Sequence, residues 1–568
     1  MCPTSAQRLQ QTLSHIQPPT AAVQMSIIEG PTEPKLLDLT LGQLLSQQAE
    51  QYGDKECLCF PWTGARLTYT NLNDESMRVA RGLLALGIQK GDRIGILAGN
   101  CEQYVSVFFA AARIGVVLVV LNSTYTPSEI YYALNHTATE CRVLFMTPYI
   151  GQNALHKVLN KLRHESELGA ILEDIIILRG SYKDFSTYDK VIQLGLSQPT
   201  YILQDREVGL SPDEVCNMQF TSGSTGNPKA AMLTHHNLVN NSRFIGDRMK
   251  LSSVDIICCP PPLFHCFGLV LGMLAAVSHG AKIIFPSEIF DPRVVLRAIS
   301  DEKCTALHGV PTMFEAILSL PRPSNFDSSN LRTGIIAGAP VSQTLMKRLL
   351  EELNMREFTS SYGLTEASPT CFNAFTTDSI HARLTTVGKV LPHARAKVID
   401  AQGHIVPVGQ RGELCIAGYQ LTKGYWQNPK ATAETLVTDR DGVTWLKTGD
   451  EASLDQDGYC GENIYPLEIE ERLASHPKIE LASVVGIPDR KYGEVVGAFV
   501  AVLPNSRPRP SDEELRSWTR EKLSRHKAPQ YIFVFGEDGI QSTIPMTGSG
   551  KIRKVELREM AVAALTVK

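Results

Sequence analysis

The segment Thr221-Ser222-Gly223-Ser224-Thr225-Gly226-Asn227-Pro228-Lys229 gathers four hydroxyl residues, two glycines and a lysine into one short loop. Glycines let backbone N–H groups approach a ligand closely, and hydroxyls add donors for phosphate oxygens. Lysine supplies a mobile positive charge. That is the chemistry of a cradle for a nucleotide triphosphate. The order is not that of a Walker A loop, which needs Gly, four residues, then Gly-Lys-Ser/Thr opening a helix. Here Asn227 and Pro228 separate Gly226 from Lys229. The flanks at 215–220 and 230–233 read as strands, which predicts a phosphate loop at a β-turn-β.

Five further segments could carry chemistry, and each alone could equally be an ordinary turn or core element. In Tyr362-Gly363-Leu364-Thr365-Glu366 the aromatic can stack on a purine, the threonine can meet a phosphate and the glutamate can hold Mg²⁺ through its oxygens. Gly334 to Pro340 reads as a strand ending in the small-residue turn Gly338-Ala339-Pro340, where backbone can approach a flat ring. Lys447-Thr448-Gly449-Asp450 places a carboxylate where it can grip ribose hydroxyls. Residues 260–268 set His265 and Phe267 in a rigid, proline-rich aromatic stretch; a lone histidine is more often structural. Residues 545–551 form another glycine-rich turn, delivering Lys551.

Elements that could position these groups alternate along the chain. Residues 72–86 have helical period and end at Gly87, 93–97 read as a buried strand, 105–114 as helix and 116–120 as strand. This rhythm predicts an α/β fold with mixed or parallel sheets covered by helices. A second region reads helix 469–474, strands 482–487 and 495–502, helix 512–523 and strand 531–535. It predicts a small α+β C-terminal domain over 461–562 after a large domain over 36–457, with the turn Asp455-Gln456-Asp457-Gly458 at the boundary.

Composition excludes several classes. The 568 residues are 43% apolar and 20% charged with net charge −4, ordinary for a soluble enzyme and without the basic footprint of a nucleic-acid binder. The 13 cysteines show no metal or disulfide spacing, which fits a reducing compartment. Apolar runs at 108–121 and 267–277 fall short of the roughly 20 residues of a membrane helix, and Arg113 interrupts the first. Residues 1–35 are expected to lie outside the core. Within them Arg8-Leu9, then His15-Ile16 after five residues, resembles an N-terminal type-2 peroxisomal targeting signal, with Leu9, Leu13 and Ile16 on one helical face. Peroxisomal import is therefore expected, with a cytoplasmic location as the alternative.

Together and in this order, these segments resemble the adenylate-forming superfamily of acyl-CoA synthetases, luciferases and peptide-synthetase adenylation domains, over nearly the whole chain. Gly461-Glu462-Asn463-Ile464-Tyr465-Pro466-Leu467-Glu468-Ile469-Glu470 is similar to the motif opening the family's mobile C-terminal domain. The resemblance is nearest to medium-chain acyl-CoA synthetases, and the N-terminal tail also looks like that of siderophore-pathway ligases that activate mevalonate. It implies two steps: a carboxylate attacks the α-phosphorus of ATP, and CoA then displaces AMP after the C-terminal domain rotates. By the same resemblance, Thr221 to Lys229 hold the β and γ phosphates. Tyr362, Gly363 and Gly338-Ala339-Pro340 border adenine, and Asp450 binds ribose. Thr365 and Glu366 meet the phosphates, and Thr225 and Glu366 meet Mg²⁺. Lys551 bridges carboxylate and α-phosphate, offsetting charge where two anions meet. His265, Phe267, Gly309, Val310 and Met313 border the acid. ATP, Mg²⁺, CoA and a small carboxylic acid are the implied cofactors and partners.

One departure matters. Family members carry a Gly-Arg-x-Lys-Asp-type hinge and a strand between the Asp-Gly turn and the Gly-Glu-Asn motif; here Asp457-Gly458-Tyr459-Cys460 runs straight into Gly461. The origin is either an error in deriving the coding sequence or a natural variant with impaired rotation. Two readings therefore stand beside the ligase: a hinge-defective nucleotide-binding paralogue, and an adenylation domain serving a carrier in trans. Amino-acid activation is disfavoured because 264–267 lacks an aspartate for an α-amine. Mevalonate and a medium-chain fatty acid both fit the apolar, cation-free pocket candidates.

Overall fold

The computed structural model describes residues 24–566 apart from 139–140, 165–171, 222–227, 339–340, 342, 463, 490–492, 505, 507, 522–527, 538 and 547–551. The possible targeting residues Arg8 to Ile16 lie outside this set.

Non-alternating apolar runs become buried parallel strands. Arg93–Leu97 and Val117–Val120 are wholly buried and pair in parallel, as strands covered on both faces must be. They sit in a seven-stranded sheet ordered Ser186–Thr187, Asp174–Ile177, Cys141–Met146, Arg93–Leu97, Val117–Val120, Val215–Thr221 and Lys229–Thr234. Its last pair is antiparallel, with Thr221 opposite Lys229, so the two expected strands do flank the loop as a hairpin.

Helices start where caps allow. The helix Tyr69–Ala85 begins before residue 72 because Thr68 accepts the Asn71 N–H and Asn71 Oδ1 accepts the Thr68 N–H. That reciprocal cap satisfies two otherwise orphaned donors, and it lies upstream of the apolar repeat that betrays the helix. Glu102–Arg113 packs as a buried helix, its Arg113 side chain only 1% exposed and bonded to Glu207, Ser76, Ser46 and Asn73. The apolar run 267–277 forms the buried π-helix Phe267–Leu274, continuing into Ala275–Ser278. Among the described residues no helix is long and apolar enough to cross a membrane.

A five-stranded sheet (Ala306–Leu307, Ile256–Cys258, Lys282–Ile284, Glu56–Phe60, Ala65–Thr68) leads by isolated bridges into a four-stranded one (Ile335–Ala337, Thr359–Gly363, Thr370–Asn373, Lys389–Val390). An antiparallel sheet is built from Ile27–Glu29, Ala394–Ile399, Gly412–Gly418, Thr444–Leu454 and Leu436–Thr438, with Cys460–Glu462 beside Thr444–Leu454. This corrects the expected tail over 1–35: Ile27–Glu29 pairs antiparallel with Ala394–Ile399, and Ser26 is fully buried. The composition-based expectation missed it because a three-residue edge strand has too little pattern to see. The 12 described cysteines are unpaired and buried, Cys258 and Cys259 among them.

The shortened junction is hydrogen-bonded on both edges. After the turn at Asp455–Gly458, Cys460–Glu462 runs back along Thr444–Leu454 with Ala452 opposite Glu462. On its other side Cys460 donates its N–H to Gly388 O at 3.0 Å and accepts from Val387 N at 2.9 Å. Gly461 and Glu462 thus belong to the large body's sheet. The next element is the helix Ile464–Ala474, within the C-terminal unit. There Ile479–Asp489, Gly493–Val502 and Tyr531–Val534 form a three-stranded sheet with Asp512–Arg520 and Lys554–Thr566.

Candidate functional site

Parallel pairing of Ile335–Ala337 with Thr359–Gly363 sets the end of one strand beside the other. Gly338 follows the first strand with φ +89°, a left-handed conformation that glycine adopts without a Cβ penalty. Tyr362 lies on the second, and its hydroxyl donates to Asp450 Oδ2 at 2.6 Å. Burial, and then the neighbouring Asp450 carboxylate, hold the Tyr362 phenol well above its ordinary pKa. Asp450 sits on Thr444–Leu454, its N–H donated to Thr448 Oγ1 at 3.1 Å, and Gly449 before it has φ +74°. A residue with a side chain at Gly363 would place its Cβ 1.9 Å from Pro369 O, so close backbone approach requires glycine there.

Thr365 and Glu366 occupy the 3₁₀ turn Thr365–Ala367. Glu366 is 7% exposed, its Oε1 accepts the Tyr425 hydroxyl at 2.6 Å and its backbone carbonyl accepts Thr422 N–H at 2.8 Å. Among the described residues no hydrogen bond reaches Glu366 Oε2. Beside this turn runs a buried polar chain: Cys266 Sγ donates to Gln219 Oε1 at 2.8 Å, Gln219 Nε2 to Asn217 Oδ1 at 2.9 Å, and Asn217 Nδ2 to Leu118 O at 3.0 Å. Burial pushes the Cys266 thiol up to about 12, so it acts as a neutral donor and not as a nucleophile.

Of the loop, Thr221 and Lys229 are described, and they pair at the hairpin base; Ser222, Gly223, Ser224, Thr225, Gly226 and Asn227 lie outside the described residues, as do Ala339, Pro340 and Lys551. Pro228 immediately precedes the second strand, and Lys229 Nζ stands 4.8 Å from the Tyr425 ring centroid. Around Lys551, Met546 and Ile552 pair and Arg553 donates its N–H to Pro545 O at 2.9 Å.

Of the residues expected to border the acid, Phe267, Val310 and Met313 are buried members of the large core cluster that also contains Ala337, which precedes Gly338. Gly309 bridges Ile336, and a Cβ on it would meet the Phe314 ring at 3.0 Å. His265 Nδ1 accepts the Phe267 N–H at 3.1 Å, which leaves the proton of a neutral ring on Nε2. Nearby His308 is fully buried, with Nε2 against Leu271 O at 3.1 Å and Nδ1 accepting Ile335 N–H at 3.3 Å. Burial lowers its pKa to about 4, so it is a neutral structural ring.

Sequence reasoning missed Tyr425, Thr422, Gln219 and Cys266. The signal for the first two was the aromatic pair after Gly424, ahead of Asn428-Pro429; the polar pair Asn217 and Gln219 within an apolar strand pointed to the third. The arrangement brings the Tyr362 ring against one carboxylate, Asp450, and sets Lys229 and a second carboxylate, Glu366, against Tyr425.

Known proteins agree. The family model for AMP-binding enzymes matches residues 45–426, and that for the AMP-binding enzyme C-terminal domain matches 468–551. Acyl-CoA ligase sidI of Aspergillus fumigatus is 73% identical over 574 aligned positions, covering 98% of this chain and 97% of that one. The mitochondrial medium-chain acyl-CoA ligase ACSF2 of Danio rerio is 37% identical, with 95% of this chain and 91% of that one covered. The crystal structure of the anthranilate CoA ligase AuaEII with anthranoyl-AMP superposes with a TM-score of 0.79 at 24% identity, over 93% of this chain and 98% of that one, and shares its fold.

Proposed function

The chain belongs to the AMP-binding enzyme family, and we propose that the acid it activates is mevalonate and that its mevalonyl-CoA product serves siderophore assembly. It is an ATP-dependent, AMP-forming acid–thiol ligase that makes acyl-CoA. The observation that favours the siderophore-pathway reading over the medium-chain one is the 73% identity to acyl-CoA ligase sidI, against 37% to the medium-chain ligase, and the choice of mevalonate rests on the resemblance read in the sequence. The residues read as bordering the acid, Phe267, Gly309, Val310 and Met313, carry no charge, which is compatible with mevalonate and with a medium-chain acid alike.

In the first half-reaction a carboxylate oxygen attacks the α-phosphorus and pyrophosphate leaves. Asp450 grips the ribose while its bond to Tyr362 holds the stacking ring. Lys229 faces the β and γ phosphates, Thr365 the α side, and Lys551 the joining anions. In the second, the CoA sulfur attacks the acyl carbonyl and AMP departs. Mg²⁺ fits Glu366: its oxygen donor is hard, its Oε2 has no hydrogen bond among the described residues, and a single carboxylate completed by phosphates is a usual Mg²⁺ arrangement. When bound, the ion would neutralise phosphate charge. Thr225, the second proposed ligand, lies outside the described residues.

A second reading is favoured by the junction. The alignment of 574 positions with the 73% relative is longer than this 568-residue chain, as it must be if that relative carries positions this chain lacks. Cys460–Glu462 pairs with Thr444–Leu454 along one edge, and Cys460 is also bonded to Val387 and Gly388 on the other. We propose that the large unit extends through Glu462 and that the C-terminal unit opens with the helix Ile464–Ala474, leaving a link too short to turn freely, so that adenylation outpaces thioester formation. Inserting a family-like hinge after Asp457 tests this: acyl-CoA formation should rise while pyrophosphate exchange stays level, and equal thioester rates would overturn it.

Import into peroxisomes through Arg8-Leu9 and His15-Ile16 is proposed on the sequence alone. A fluorescent protein carrying residues 1–35 should enter peroxisomes, and an Arg8→Ala version should stay in the cytoplasm; identical distributions would overturn the proposal.

A further inference from the structure

Tyr425 touches both halves of the phosphate-side machinery. Its hydroxyl donates to Glu366 Oε1 at 2.6 Å, and its ring lies 4.8 Å from Lys229 Nζ. Only 6% of Tyr425 is exposed. Its backbone is fixed as firmly as its side chain. Residues 422–426 lie along the strand Lys229–Thr234: Lys423 donates to Met232 O at 3.0 Å, Met232 to Gly424 O at 3.0 Å, and Trp426 to Ala230 O at 2.8 Å. Thr432 Oγ1 takes the Tyr425 N–H at 2.9 Å, and Thr422 N–H closes onto the Glu366 carbonyl.

A carboxylate held at one oxygen by a charge-assisted bond cannot rotate freely, so the direction of its second oxygen is set. A cation over an aromatic face is likewise restrained. We infer that Tyr425 is a positioning residue for the metal–triphosphate: it aims Glu366 Oε2 at the metal and holds Lys229 at the exit of the phosphate loop. This rests on the reading of Glu366 as the metal-side ligand.

The test uses the full chain and calorimetric binding of the β,γ-methylene analogue of ATP, with and without Mg²⁺, and of AMP. Tyr425→Phe keeps the ring and removes the hydroxyl. Losing a bond to a charged group is expected to weaken binding of the analogue with Mg²⁺ by roughly tenfold, to leave AMP binding unchanged, and to have no effect once Mg²⁺ is chelated. Wild-type affinity in Y425F with Mg²⁺ present, or an equal loss for AMP, overturns the inference alone. If Mg²⁺ leaves the wild-type chain's affinity unchanged, the reading of Glu366 falls and this inference with it.

Discussion

The Tyr362 hydroxyl donates to Asp450 Oδ2 at 2.6 Å, joining residues 88 apart in sequence and on different sheets. One of the two is read as the adenine-stacking ring and the other as the ribose grip, so the nucleoside site is partly pre-assembled. Tyr362→Phe keeps the stacking face and frees Asp450. The loss of a bond to a partly exposed carboxylate is about 1.5 kcal/mol, so KM for ATP should rise by roughly tenfold with a smaller change in kcat. Asp450→Ala should cost more, and the double variant should cost less than the two combined, since they share one bond. Additive losses would mean the pair does not act together.

Two buried histidines make stability fall on acidification. Burial lowers His235 to about 3 and His308 to about 4, from an ordinary 6.5. Below pH 6.5 the unfolded chain binds protons that the folded chain refuses, so stability declines as pH drops toward 4 and is flat above 6.5 for these groups. Each histidine contributes a slope approaching about 1.4 kcal/mol per pH unit. Denaturant titrations at pH 7, 6 and 5 check this, and His308→Gln should flatten the curve.

Arg113 is buried at 1% exposure and paired with Glu207. Arg113→Ala strips Glu207 of its partner, removes the bonds to Ser76, Ser46 and Asn73 and opens a void, so about 3 kcal/mol of stability should be lost. An urea midpoint unchanged from wild type would contradict the buried geometry.

If Lys551 has the proposed role of offsetting charge where two anions meet, Lys551→Ala should suppress acyl-adenylate formation far more than thioester formation from supplied acyl-AMP. Equal losses in the two half-reactions would reject that role.

Much of this was legible in the chain. Runs such as 93–97 and 116–120 showed their strands because burial on both faces removes polar alternation, and the hairpin around the phosphate loop followed from apolar flanks on a glycine-rich turn. Boundaries were less visible: the Thr68 cap precedes the periodic residues, and Ile27–Glu29 is too short to carry a pattern. Candidate residues such as Asp450 and Gly338 could each have been an ordinary turn when read alone, and only the order of all the segments together pointed to a role. Tyr425 did not stand out, because its importance lies in two tertiary contacts, to Glu366 and Lys229, that no local spacing encodes. The link at 457–463 was legible as a shortening, while its bonding to Gly388 and Val387 was visible only in three dimensions.

The most direct test is acid-dependent exchange of labelled pyrophosphate into ATP, run with mevalonate and a panel of medium-chain acids and followed by thioester detection after adding CoA. The account predicts exchange with mevalonate above every fatty acid in the panel, abolished by Lys551→Ala, with mevalonyl-CoA appearing on addition of CoA. Exchange driven by medium-chain acids but not by mevalonate, or nucleotide binding with no exchange for any acid, would contradict it.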